Sequence, residues 1–198
     1  MTIRTTLLAG LAVLALSTSA YAIPLASGSS LDISGSDFAA NGGSIDNATG
    51  LDFTSVRLSL DPATVTGSFS GLFTPGLVGS IQNIPTFSPF TPVPGLYSFA
   101  QGGTTLSFDL TTLAVANRTA SVGGSIPALT ITGTGAFNLT GFDRTDAFFT
   151  LTTQGSNVTT FSASTAVPNA AAVPEPASMA VLGAGLLGMG LIRRRKAN

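Results

Sequence analysis

Two residue types that carry much of protein chemistry are missing from this chain of 198 residues, which has no cysteine and no histidine. Without cysteine there is no disulfide bond and no thiol nucleophile. Without histidine the chain lacks the side chain that most often serves as a general base or metal ligand near neutral pH. Thiol-dependent and histidine-dependent catalysis are therefore excluded.

Residues 23–173 also lack lysine, glutamate, tryptophan and methionine. Three arginines, Arg57, Arg118 and Arg144, stand against eight aspartates, which gives this segment a net charge of −5. Binding to nucleic-acid phosphates needs clustered lysine and arginine, so the composition argues against nucleic acid as a partner. The aspartates are Asp32, Asp37, Asp46, Asp52, Asp61, Asp109, Asp143 and Asp146.

Clustered aspartates raise the question of a calcium site, because hard cations prefer carboxylate and carbonyl oxygens. Asp143 and Asp146 lie three residues apart, with Asn138 and Arg144 nearby, and are weak calcium candidates. Their spacing matches no EF-hand loop, and it favours a solvated turn with a local contact between aspartate and arginine. The same two interpretations apply to an earlier loop lined by aspartates. That loop would contain Asp32, Asp37, Asp46 and Asp52.

Paired carboxylates can also hydrolyse a glycosidic bond. The segment has no glutamate, histidine or tryptophan, so the usual acids and sugar-stacking platforms are absent. We therefore predict no enzyme activity, no catalytic residue and no cofactor-binding residue.

The amino-terminal segment has the three parts of a secretory signal peptide. One positive charge, on Arg4, precedes an apolar stretch at 7–16, and small residues follow up to Ala20 and Ala22. This A-x-A pattern predicts cleavage by signal peptidase after Ala22 and a mature chain that begins at Ile23. The alternative is an uncleaved membrane anchor, but the apolar stretch is short for a spanning helix.

The carboxy terminus combines a rigid motif, an apolar run and a basic end. Pro174, Glu175 and Pro176 precede an apolar segment at 177–192. As a helix this segment would be about 24 Å long, somewhat less than a hydrocarbon core of roughly 30 Å. Basic residues stay on the cytoplasmic side, so we predict a transmembrane helix over 177–192 with the preceding body outside the cytoplasm. The basic stop consists of Arg193, Arg194, Arg195 and Lys196. A buried core helix is the alternative, which four consecutive basic residues disfavour.

This carboxy-terminal order resembles the PEP-CTERM sorting signal of exported bacterial proteins. The resemblance implies recognition by an exosortase, a membrane-bound processing enzyme, with cleavage near Pro174, Glu175 and Pro176. It also implies a membrane-held intermediate, a host that makes extracellular polysaccharide, and roles in biofilms or surface layers. The same tail is also labelled an ice-binding-protein C-terminal motif, from which no ice-binding activity follows.

The segment between the signal peptide and the sorting signal has the sequence pattern of an all-β domain. Hydrophobic and polar residues alternate in short runs, such as 106–110, 129–132, 137–139 and 149–151, bounded by glycine, asparagine and proline. Such period-2 runs predict half-buried antiparallel strands, about nine or ten of them. We therefore predict a β-sandwich or jelly-roll-like domain, with a β-solenoid as the alternative.

The domain plan follows from these signals. It has a signal peptide at 1–22, an exported domain at 23–162, an Ala/Pro/Val-rich spacer at 163–173 and a sorting signal at 174–198. Residues 84–95 carry four prolines and predict a long loop within the domain.

The predicted function is that of an exported cell-surface or extracellular-matrix protein with a structural role. Its predicted partners are signal peptidase, an exosortase, the lipid bilayer and extracellular polysaccharide. The alternative is a carbohydrate- or calcium-dependent extracellular binding module, that is, one that binds carbohydrate or needs calcium to bind its ligand. A groove lined by Phe87, Phe90 and Tyr97 would favour that alternative.

Overall fold

The computed structural model describes residues 23–41, 43–120, 122–123, 125–155 and 159–169. These residues form ten β-strands and three short 3-10 turns, the turns being Ile45–Asn47, Pro62–Thr64 and Gly67–Phe69. The strands are β1 Ile23–Pro24, β2 Ser30–Ala39, β3 Leu51–Leu58, β4 Ser80–Ile81, β5 Val93–Gln101, β6 Thr104–Thr119, β7 Ala128–Leu139, β8 Phe142–Asp143, β9 Thr145–Gln154 and β10 Thr159–Ala166.

Eight of the strands form one antiparallel sheet in the order β3-β2-β10-β9-β7-β6-β5-β4. The sheet curls until its two edges approach, since isolated bridges join Arg57 to Val78 and Leu51 to Ile84. The remaining strands, β1 and β8, form a short parallel pair. The prediction of an antiparallel all-β domain is confirmed. The predicted sandwich divided the strands between two packed sheets, whereas these eight strands belong to a single, nearly closed sheet.

Alternation of side chains explains both the strands and the core. Along β9 every second residue is buried, so Ala147, Phe149 and Leu151 face inward while their neighbours face solvent. Inside the curled sheet the aromatic rings pack on one another. Phe108 stacks against Tyr97 and Phe149, with ring centroids 5.4 and 5.7 Å apart. Burial of such large rings contributes strongly to the apolar stabilisation of the domain.

The long strand β6 bends where it pairs with β7, with register shifts between Leu110 and Thr112 and between Val115 and Asn117. Gly135 lies at the first irregularity, and a Cβ atom there would overlap the carbonyl oxygen of Asp109. Glycine at this position permits the close approach of the two backbones. A bulge of this kind increases local twist and helps the sheet to curl.

Strand β10 lies in the middle of the sheet, between β2 and β9. It continues to Ala166, so the predicted boundary between domain and spacer at 162/163 falls inside a strand. Val167 is still buried, and its N–H donates to the carbonyl of Ser29 over 2.8 Å. The alternation of polar and small residues at 159–166 is a strand pattern, which the alanine-rich composition after 163 concealed.

Other predicted boundaries shift as well. Strand β2 was not predicted, and the predicted runs 129–132 and 137–139 are joined in the single strand β7. The proline loop is shorter than predicted, because β5 begins at Val93.

Among the described residues, no helix is long and apolar enough to cross a membrane. The signal peptide at 1–22, the predicted helix at 177–192 and the basic stop lie outside the described residues. The same holds for the cleavage residues Ala20 and Ala22 and for the motif Pro174, Glu175 and Pro176.

Candidate functional site

The two calcium candidates occupy the start of β9 and the strand before it. Asp143 ends β8 and Asp146 lies in β9, and both side chains are exposed. In the described part of the chain, no group of three or more His, Cys, Asp or Glu residues is placed to hold a metal ion. Two isolated carboxylates on a solvated surface hold calcium poorly.

Arg144 forms its ion pair with Asp109 on β6, and the distance between Nη2 and Oδ2 is 3.7 Å. The predicted local contact of Arg144 with a neighbouring aspartate is therefore replaced by a contact with a distant strand. Asp109 also accepts from Asn138 over 2.9 Å and from the backbone N–H of Gly95 over 2.8 Å. This half-exposed carboxylate thereby ties together β5, β6 and β7 and the turn before β9.

The importance of Asp109 was missed in the sequence, although the strict alternation at 106–110 places it outward beside Ser107. Nothing in the sequence indicated that Gly95, Asn138 and Arg144 would converge on it, since they lie 14 to 35 residues away. Asp109 has the role of a structural cross-link, because its acceptor atoms are occupied by groups of the same chain.

The four aspartates predicted to line an earlier loop are separated by the fold. Asp32 and Asp37 lie in β2 and Asp52 in β3, while Asp46 lies in a 3-10 turn. Asp32 is half-buried on the outer face, whereas Asp37 points inward and is fully buried. The loop prediction is wrong because β2 had not been recognised as a strand.

Asp37 is the centre of a buried polar cluster that joins three strands. Its Oδ1 accepts from Thr153 of β9 over 2.8 Å and from Thr159 of β10. Its Oδ2 is buried and has no hydrogen-bond partner among the described residues. Burial raises the pKa of this carboxyl above its ordinary value, and the two threonine donors offset part of that effect. The cluster is sealed from solvent, so its role is to hold β2, β9 and β10 together.

The groove of Phe87, Phe90 and Tyr97 that would favour a binding module does not form, because Tyr97 belongs to the core. Its ring is fully buried, and its hydroxyl donates to Thr165 of β10 over 2.7 Å. Burial raises the pKa of Tyr97 far above its ordinary value. Phe87 and Phe90 instead pair across their own proline turn through an isolated bridge.

Phe87 lines a shallow surface groove of about 550 Å³ together with Arg118. The guanidinium carbon of Arg118 lies 5.7 Å from the centre of the Phe87 ring. The same guanidinium donates to the carbonyls of Asp46 and Ala48 over 2.7 and 2.8 Å. These three contacts fix the arginine along the wall of the groove.

A second groove of about 550 Å³ crosses the outer surface of β2, β10 and β9. Its floor is a set of short hydroxyl side chains, which we call the hydroxyl face. In the strand registers Thr150 faces Ser164 and Thr152 faces Ser162, and all four side chains are exposed. Neighbouring strands are roughly 4.8 Å apart, so the hydroxyls form a regular array. The hydroxyl face consists of Ser34, Thr150, Thr152, Ser162 and Ser164.

Comparison with known proteins identifies the carboxy-terminal segment. A family model described as the PEP-CTERM protein-sorting motif matches residues 172–196. The match confirms the sorting signal predicted from the order of motif, apolar run and basic end, and it supports export with sorting by an exosortase. No curated protein and no solved structure matches the chain.

Proposed function

We propose that this exported chain is processed by an exosortase through its PEP-CTERM motif and that its β-domain has a structural role at the cell surface or in the extracellular matrix. The observation that carries the proposal is the sorting motif at 172–196, which follows shortly after the nearly closed β-domain. Before processing, the segment at 177–192 would hold the precursor in the inner membrane.

The polar interior of the domain supports a role without catalysis. The side chains of Asp37, Tyr97 and Asp109 are each hydrogen-bonded to other strands of the same domain. A catalytic acid or base must be accessible to the substrate and must have an atom that can give a proton to it or take one from it. Asp37 and Tyr97 are fully buried, and neither borders an open groove.

The way in which the tail joins the domain supports display on a surface. The tail continues from β10, which is paired with β2 over eight residues and with β9 over seven. A pull on the tail would load both ladders along the strand direction, so many hydrogen bonds would have to break together. An attachment through a central strand is therefore suited to a protein held at its carboxy terminus.

The proposal is tested by expressing the full chain in cells with and without an exosortase and measuring the intact mass of the exported product. We expect a mature amino terminus at Ile23 and, only when the enzyme is present, a carboxy terminus near Pro174 to Pro176. The matched variant Pro174→Ala/Pro176→Ala should remain unprocessed. Retention of Arg193 to Asn198 on the exported protein in exosortase-containing cells would contradict the proposal.

A second candidate function is an extracellular binding module for polysaccharide. The hydroxyl face favours it, because serine and threonine hydroxyls both donate and accept hydrogen bonds and match the hydroxyls of sugars. Its test is retention of the mature domain on the polysaccharide that the host secretes, compared with Thr152→Val/Ser162→Val. Calcium dependence is tested in the same assay with a chelator. Equal retention of both proteins would contradict a role of the hydroxyl face.

A further inference from the structure

The two ends of the described domain meet at one place. The N–H of Gly28 donates to the carbonyl of Val167 over 3.1 Å, and the N–H of Val167 donates to the carbonyl of Ser29 over 2.8 Å. Pro168 and Phe148 then line the same cavity at the start of β9. The chain is thus held by the domain up to Pro168, and the sorting motif follows shortly afterwards.

The remaining distance to the motif is short. Four residues, 170–173, lie between Asn169 and Pro174, and the five residue-to-residue steps of a fully extended chain span at most about 18 Å. Any protein that binds Pro174, Glu175 and Pro176 must therefore come within that distance of Asn169. At such a range it meets the surface of the domain around Pro168, which we call the exit face.

The exit face carries an exposed aromatic ring. Phe148 lies opposite Ala166 in the register of β9 and β10, and 57% of its surface is exposed. Among the described residues it is the only aromatic side chain that is more than half exposed. It borders a cavity of about 340 Å³ together with Thr111, Thr134, Asp146 and Pro168. An exposed aromatic ring beside a cavity is suited to anchor a bound protein, because aromatic side chains are enriched among the residues that dominate binding energy.

We propose that the exit face is a docking surface for the membrane enzyme that recognises the sorting motif, with the Phe148 ring as its anchor. This inference rests on the proposed function. The enzyme is a better occupant than the bilayer, because the motif that it must bind lies closer along the chain to Asn169 than the apolar run, which begins at residue 177. The exposed carboxylates of Asp143 and Asp146 also favour a protein surface with hydrogen-bond donors. Docking would raise the effective concentration of the motif at the enzyme.

The first experiment compares the processing rates of full-length precursors by pulse labelling in exosortase-containing cells. The variant Phe148→Ser should be processed several-fold more slowly than the wild type. The matched control is Val78→Ser, since Val78 is 72% exposed and lies between β3 and β4, on the opposite side of the curled sheet from β9. This control should be processed at the wild-type rate. Urea denaturation of both variants checks that the domain is still folded.

A second pair of precursors, with a lengthened tail, separates docking from other effects of the substitution. Insertion of about 20 Gly/Ser residues after Asn169 adds roughly 70 Å of chain, so the motif can reach the enzyme without the exit face. In this background Phe148→Ser and wild type should be processed at equal rates. The proposal is overturned if Phe148→Ser is processed normally at native spacing, or if it is equally slow in both backgrounds. Absence of processing in the wild type would instead contradict the proposed function.

Discussion

At the scale of single residues, the buried carboxyl of Asp37 makes stability depend on pH. Its pKa in the folded state lies above the ordinary value of 3.8, mainly because of burial. Between 3.8 and the folded-state pKa, the folded protein binds more protons than the unfolded chain. The free energy of unfolding therefore falls as pH rises through this window and stays lower above it.

The variant Asp37→Asn lacks this titration. We expect the difference in unfolding free energy between Asp37→Asn and wild type to shift in favour of the variant as pH rises from about 4 toward neutrality. Urea denaturation at several pH values measures it. Asp146→Asn, which changes an exposed aspartate in β9, controls for the loss of one charge. A difference between Asp37→Asn and wild type that does not change with pH would contradict the assignment.

The hydrogen bond between Tyr97 and Thr165 gives a second prediction at this scale. Thr165→Val leaves the buried tyrosine hydroxyl without its acceptor, and Tyr97→Phe leaves the threonine hydroxyl alone. Each single change should lower the free energy of unfolding by about 1–3 kcal/mol. The double variant should cost less than the sum of the two, since it removes both polar groups. Strict additivity in urea denaturation would show that the two hydroxyls do not interact.

At the scale of elements, the close pairing of β6 and β7 depends on Gly135. A methyl group there would meet the carbonyl oxygen of Asp109 and the ring of Phe108. We expect Gly135→Ala to lower the free energy of unfolding by about 1–3 kcal/mol or more, because backbone must move to relieve the overlap.

A useful comparison for Gly135→Ala is Gly102→Ala. Gly102 has a φ of +59° and nothing within 4 Å of an added Cβ, so its variant bears only the conformational cost of about 1–2 kcal/mol. In thermal and urea denaturation, Gly135→Ala should lose more stability than Gly102→Ala does, or it alone should unfold with reduced cooperativity. An unchanged midpoint for Gly135→Ala would mean that the two backbones separate easily.

The elements that sequence reasoning recovered are those with strict alternation. The runs at 106–110 and 149–151 lie in β6 and β9, because apolar and polar residues alternate there without interruption. Strand β2 escaped because Ser34, Gly35 and Ser36 interrupt its apolar series, leaving Leu31 and Ile33 as the only clear inward positions before Asp37. Local composition could not show that Asp37 is inward, since its partners Thr153 and Thr159 are more than a hundred residues away.

At the scale of the whole molecule, the sorting signal was fully readable from the sequence because it is contiguous. Motif, apolar run and basic end follow one another within 172–196, and no tertiary contact is needed to define them. The closure of the sheet could not be read in the same way. It depends on which strands are neighbours, and the order β3-β2-β10-β9 is set by contacts between opposite ends of the chain.

The basic stop supplies a prediction for the whole precursor. Moving one basic residue toward the bilayer centre costs about 2.5–3.5 kcal/mol on insertion scales, so four together should prevent outward slippage of a short span. Replacing Arg193, Arg194, Arg195 and Lys196 by serine should release unprocessed precursor or mislocalise it, with the β-domain unchanged. Cell fractionation with intact mass measures this. Retention and cleavage at the wild-type rate would show that the basic residues are dispensable.

The central place of β10 also bears on the order of events during export. It is the last of the ten described strands along the chain, yet it separates β2 from β9. Without it, no ladder between the described strands joins the hairpin of β2 and β3 to β9, and isolated bridges join β3 to Val78 and Ile84. A chain that enters an export channel amino terminus first therefore cannot complete its sheet until β10 has followed, and the strands ahead of β10 stay unfolded enough to be threaded.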